Sequence, residues 1–147
     1  MNNLMDGYKL YLASNFALYL KTHNAHFNVT GMFFPQLHEL FKEQYEDLWS
    51  AFDNIGENIR KLDAFVPANL GDFKKYSVVD EFDLPLPAKD YIERLYMDHE
   101  RMIILLDKVF KLAEAENKQA DMDFIAGRID MHSKHRWILK SMLTSVA

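Results

Sequence analysis

The chain has 147 residues, 49% apolar and 27% charged, which suits one domain with a sizeable core and is too apolar for a disordered segment. It holds no cysteine, so disulfides and thiolate metal sites are excluded and any metal must use histidine, carboxylate, carbonyl or water. A formal net charge of -5 argues against binding nucleic acid by charge, and no apolar run is long enough to cross a membrane. The ends agree: "MNNLMDGYKL" holds one lysine and does not read as a secretion signal, and "MLTSVA" holds no charge, so neither is a basic arm. A soluble, cytoplasmic protein is expected, with a single domain over residues 1–147.

Five glycines and four prolines, gathered in a few places, favour long helices. The spacing predicts a first helix from about Asn3 to Asn28, with Tyr8, Tyr11 or Leu12, Phe16, Tyr19 or Leu20 and His23 on one face. Gly31 ends it, and Pro35 suits the first turn of a second helix running to about Phe65. That helix carries the strongest apolar stripe: Leu37, Phe41, Gln44 or Tyr45, Leu48, Phe52, Ile55, Ile59 and Leu62. Pro67, Gly71, Pro85 and Pro87 mark a long connection over residues 66–87, in which "LGDFKKYSVV" predicts a short helix. A third long helix spans about Ala88 to Ala115, with Ile92, Leu95, His99, Met102, Leu106, Val109 and Ala113 as its stripe. A fourth spans about Lys118 to Thr144, with a less regular stripe of Ile125, Ile129, His132, Arg136 and Leu139. Short, long and short connections make an all-α, ferritin-like four-helix bundle, with a long crossover between helices 2 and 3 that contains a short helix.

Two groups of side chains stand out as metal ligands. His26 and His38 flank the Gly/Pro break between the first two helices. Asp53 and Glu57, in "DNIGENIR", are four apart and share a helix face. His38 and Asp53 are fifteen residues apart on one helix, roughly 22 Å at about 1.5 Å per residue, so one chain cannot hold an ion with both. The intrachain di-iron cage of Glu-x-x-His motifs is absent, because no glutamate is followed three residues later by histidine. If two copies pack with their second helices antiparallel, the histidines of one meet the carboxylates of the other, twice per dimer. Imidazole with carboxylate suits Fe(II), Mn(II) or Zn(II).

The segment His26-Phe27-Asn28-Val29-Thr30-Gly31, then Phe34, Leu37-His38 and Asp53-Asn54-Ile55-Gly56-Glu57-Asn58, resembles the signature of the Dps mini-ferritins. Their pattern is His-Trp-Asn-Val-x-Gly, a Phe, Leu-His, and Asp-x-x-Ala-Glu-Arg. "YMDHERM" and "HSKHRWILKSML" are similar to the family's third and closing helices, so the resemblance covers nearly the whole chain. It implies a homododecameric hollow cage with a ferroxidase site at each two-fold interface. There Fe(II) is oxidised by peroxide or O2 and stored as ferric mineral, which protects against oxidative damage. By residue, it implies that His26 and His38 ligate iron from one chain and Asp53 and Glu57 from its partner, with zinc or manganese as alternative ions. Without basic arms, DNA binding is not expected.

Four departures bear on activity. The family usually has an Asp four residues after the second histidine, and here that position is Lys42, whose ammonium opposes a second cation. Weaker or single-metal occupancy is therefore expected, with a catalytically weakened, metal-sequestering or structural shell as the alternative. Phe27 replaces an indole, Gly56 an alanine and Asn58 an arginine. Elsewhere His23 reads as packed or interfacial and His99 as a buried, hydrogen-bonded imidazole. His132 and His135 read as capping or surface residues, with a zinc pair as the alternative. Trp49 and Trp137 read as packing residues, and the eight methionines as core filler. Asp121 and Asp123 are read equally as an iron-entry pore or as acids complementing a helix N-terminus.

Overall fold

A computed structural model describes residues 1–144; the last three residues of "MLTSVA", and with them the end of the expected 1–147 domain, lie outside the described residues. Four long helices and one short one account for the fold: α1 (Leu4–Asn28), α2 (Phe34–Lys61), α3 (Leu70–Tyr76), α4 (Ala88–Ala115) and α5 (Gln119–Leu143). No strand occurs among the described residues, and no helix there is long and apolar enough to cross a membrane. The helices pair as two hairpins, α1 with α2 and α4 with α5, joined where α1 packs on α4; α3 lies against α1. This is the expected ferritin-like bundle, crossover helix included.

The boundaries follow from local chemistry. Asn3 caps α1, its side chain accepting a hydrogen bond from the Asp6 amide at 2.8 Å. Pro35 sits in the first turn of α2, where its missing N–H costs nothing. α2 stops at Lys61, four residues before the expected Phe65, because Asp63 adopts a left-handed φ of 61° and turns the chain out of the helix. Asn117 does the same after α4, with φ 56°.

Along α2, Leu37, Phe41, Gln44, Leu48, Ala51, Ile55 and Ile59 are buried at spacings of three or four. The predicted α4 stripe is buried throughout. On α5 the predicted Ile125, His132 and Leu139 face the core, but Arg128 and His135 stand there in place of Ile129 and Arg136. Ile129 and Arg136 are therefore each one position off the buried line, because the bundle admits polar residues that find partners. Trp49 and Trp137 are 55% and 65% exposed, so neither packs in the core of the protomer. Of the methionines, Met102 is fully buried but Met32 is 88% exposed, so core filling describes only some of them.

The crossover is pinned to α1 by polar contacts. Ser14 Oγ accepts from the Val78 amide at 3.0 Å, and Lys21 Nζ lies 2.8 Å from both Asp80 and Asp98. Asp98, fully buried on α4, also takes Arg101 at 2.8 Å. Burial pushes the Asp98 carboxyl above its usual range, although Lys21 and Arg101 oppose this. Removing one member of a buried pair strands the other. Lys21→Met is expected to lower stability by about 3 kcal/mol, and the double variant Lys21→Met/Asp98→Leu to recover most of the loss. Urea denaturation at one fixed protein concentration measures both.

Candidate metal centre

The short turn over residues 29–33 brings the last turn of α1 against the first turn of α2. It places His26 and His38 face to face, ring centroids 3.7 Å apart and planes within 16°. Their backbones and rings are joined reciprocally. His26 Nδ1 donates to the His38 carbonyl at 2.6 Å, and His38 Nδ1 donates to the His26 carbonyl at 2.7 Å. A carbonyl can only accept, so both Nδ1 atoms carry hydrogen and Nε2 is the nitrogen each ring keeps for a ligand. Orientation of a metal-binding imidazole by a backbone carbonyl is the usual outer-shell arrangement. His26 is buried and His38 half-buried.

Around this pair lies an aromatic cluster. His23 stacks on Tyr45, with centroids 3.9 Å apart and planes within 8°, and on Phe27 at 4.5 Å. The Tyr19 hydroxyl and His23 Nδ1 share a hydrogen bond of 2.9 Å. Burial lowers the His23 pKa, with His26 adding to the effect. Burial, reinforced by Tyr45, raises the Tyr19 phenol. The expectation of a packed His23 matches this geometry.

Asp53 and Glu57 lie exposed on α2, together, and line a shallow surface hollow with Phe52, Gly56, Arg60 and Val66. Gly56 has open space where a Cβ would stand, apart from Val66 at 3.8 Å. α2 is continuous between His38 and Asp53, so the structure unites His26 with His38 and Asp53 with Glu57 but leaves the pairs apart in one protomer. Among the described residues, no group of three or more histidines and carboxylates is placed to hold an ion. Lys42, one turn beyond His38 and half-buried, enters no ion pair among the described residues.

The ferritin-like domain family matches residues 10–147. The chain is 31% identical to a low temperature-induced protein of Nostoc sp. over 134 residues, covering 90% of this chain and 75% of that one. It is 29% identical over 126 residues to DNA protection during starvation protein 2 of Bacillus anthracis, covering 86% of each. The crystal structure of Dps from Staphylococcus aureus superimposes with a TM-score of 0.95 at 24% identity, covering 99% of this chain and all of that one. The chain belongs to the Dps branch of the ferritin-like family.

Sequence reasoning missed a second polar cluster of this Dps-type chain, inside the bundle. Arg128 on α5 makes two hydrogen bonds to the Asp47 carboxylate of α2, at 2.8 and 2.9 Å, and one to the Tyr11 hydroxyl at 3.1 Å. His135 Nε2 also meets Asp47, at 2.8 Å. His99 and His132 are fully buried, with Nδ1 atoms 2.9 Å apart, so one ring donates and the other accepts. The expectation that His132 and His135 cap or face solvent is thus corrected: both are buried, His135 against the Asp47 carboxylate of α2 and His132 against His99 of α4. The signal available was the spacing of Arg128, His132 and His135, which is one helix face. Asp121, weighed as a pore acid, accepts a 2.5 Å hydrogen bond from Tyr8 and so ties α5 to α1.

The cluster sets two pH ranges. Burial lowers the His99 pKa well below the imidazole range, helped by His132 and His135; burial lowers His132 likewise, helped by Arg128. Burial alone would raise Asp47, but hydrogen bonds from His135 and Arg128 outweigh it and hold the carboxyl far below its usual range. On acidification, unfolded histidines take up protons that folded His99 and His132 refuse. Stability should fall as pH drops below about 6.5, by at most about 1.4 kcal/mol per pH unit per ring. The Asp47 contribution is present above the ordinary carboxylate value and is lost only as pH falls below it, toward the depressed folded value. The double variant His99→Leu/His132→Met should flatten the slope of denaturation midpoint against pH between about 6.5 and 5; an unchanged slope would assign it to other groups.

Proposed function

We propose that this chain oxidises Fe(II) and stores the ferric product, protecting the cytoplasm from iron-driven oxidation, at sites that two copies share. The observation that carries this reading is the reciprocal histidine pair, which leaves both Nε2 atoms as ligands. Its carboxylate complement, Asp53 and Glu57, stands exposed on the same helix, too far away to serve the same ion. A two-fold axis crossing α2 midway between His38 and Asp53, near Tyr45 and Trp49, would bring each pair against its complement in the other copy. It would also cover Trp49, Leu20 and Phe27, large apolar side chains that are more than half exposed in the protomer. Imidazole and carboxylate together suit Fe(II), and hard oxygen ligands favour Fe(III) once it forms. Zn(II) or Mn(II) would fit the same donors. The family resemblance supports twelve copies in a hollow shell and peroxide or O2 as oxidant.

Lys42 favours a modified form of this activity. Its ammonium lies one turn from His38 and enters no ion pair among the described residues, so a second divalent ion is opposed by like charge. The site then holds one iron tightly, or serves as a weakened, sequestering shell. Lys42→Asp is expected to raise tight Fe(II) binding from one ion per site toward two, read by anaerobic titration. An equal stoichiometry in both proteins would remove Lys42 from the reading.

Sharing of the site is tested by mixing. His26→Ala/His38→Ala and Asp53→Ala/Glu57→Ala chains should each assemble without oxidising iron. Co-assembled from denaturant, each mixed dimer carries one intact site and one doubly damaged site, so activity should return. Mixed shells as inactive as their parents would rule out a shared centre.

A further inference from the structure

We propose that Tyr19 is an electron donor to the iron site, with His23 as its built-in proton acceptor. The inference rests on the single-iron reading above and explains how such a site could reduce peroxide safely. Peroxide needs two electrons to become water. One Fe(II) supplies one, which on its own would leave a hydroxyl radical. The second must come from the protein or from a second ion, and Lys42 opposes the second ion.

The rings beside His26 offer a route. Tyr45 lies 5.2 Å from His26, and Tyr19 lies 5.9 Å from Tyr45, centroid to centroid. Aromatic rings in contact pass electrons readily. A phenol loses an electron at neutral pH only if its proton has somewhere to go, because the phenol cation radical is a strong acid. Tyr19 Oη and His23 Nδ1 already share a hydrogen bond of 2.9 Å, along which the phenolic proton passes when Nδ1 is the ring's unprotonated nitrogen, and that ring is held in place by stacking on Tyr45 and Phe27. Tyr45, the nearer phenol, has no such acceptor among the described residues. It is therefore the relay and Tyr19 the terminus.

The step balances. The O–O bond of peroxide breaks with one electron from Fe(II) and one from Tyr19, and two protons from solvent complete two waters. The phenolic proton moves to His23 Nδ1, leaving a neutral tyrosyl radical beside an imidazolium. A second Fe(II) then reduces the radical, and the proton returns from His23 to the phenolate oxygen. Two Fe(II) are oxidised per peroxide, without two irons bound together.

The test uses the assembled protein, mixed with Fe(II) and peroxide and frozen within the first turnover for electron paramagnetic resonance. A neutral tyrosyl signal is expected in the wild type and lost in Tyr19→Phe, which removes only a hydroxyl and should keep the same thermal unfolding. Iron oxidation should persist in Tyr19→Phe while spin-trapped hydroxyl radical rises. Photochemical oxidation of the metal-free protein should give the same radical, again absent in Tyr19→Phe. Iron oxidation in the wild type with no tyrosyl signal, an indole radical in its place, or no rise in trapped radical on removing the hydroxyl would overturn the role of Tyr19 and leave the ferroxidase reading standing. A wild type that oxidises no iron would overturn the ferroxidase reading, and the donor role with it.

Discussion

The rigidity of α2 governs the chemistry of this protein. An uninterrupted helix from Phe34 to Lys61 holds His38 and Asp53 roughly 22 Å apart, at about 1.5 Å per residue. No side chain spans that gap and no loop can close it. The turn before α2 has the opposite effect: over residues 29–33 it reverses the chain so sharply that His26 and His38 stack and bond to each other's carbonyls. One protomer thus presents a finished pair of imidazoles and, far along the same helix, a finished pair of carboxylates. Each is half of the coordination sphere proposed above, which a two-fold axis would complete.

The bundle interior shows why the site lies at the surface. Ferritin-like di-iron proteins gather several carboxylates between their helices. Here the fully buried side chains at that depth are mostly apolar, and the carboxylate reaching inward from α2, Asp47, is already neutralised by Arg128 and His135. Around it Tyr11, His99 and His132 complete a network whose members answer to one another across three other helices. A pair broken there would leave a charge stranded in low dielectric, so this network holds the helices in register. Lys21 ties the crossover to α1 through Asp80 and α4 to α1 through Asp98.

Two features beside the histidine pair belong together. Lys42 adds a positive charge beside the imidazoles, and the rings of Tyr45, Tyr19 and His23 extend from them into the protomer. A site limited to one ion, as proposed above, would gain from an electron source within the protein, and a phenol hydrogen-bonded to an imidazole would supply it most readily. Phe27, standing where the family carries an oxidisable indole, stacks on His23 and holds the acceptor in place instead.

Much of the architecture was legible along the chain. Apolar spacing located all four long helices, because burying one face of a helix imposes its period on the residues. Pro35 and Asn3 marked starts through chemistry local to a few residues. The end of α2 was misjudged, since an apolar Leu62 and Phe65 continued the pattern while Asp63 turned left-handed. The α5 face was misread by one position, because Arg128 and His135 are core residues only by virtue of Asp47, which is distant in sequence. Spacing alone determined that His26 with His38 and Asp53 with Glu57 form two separate pairs in one protomer, since helix rise is a constant of the backbone. Which nitrogen each histidine keeps free, which phenol has a base, and which buried charges are paired were decided only by tertiary structure. Hydrogen bonds and ion pairs between helices depend on angstrom-scale approach, and no periodicity in a sequence encodes that.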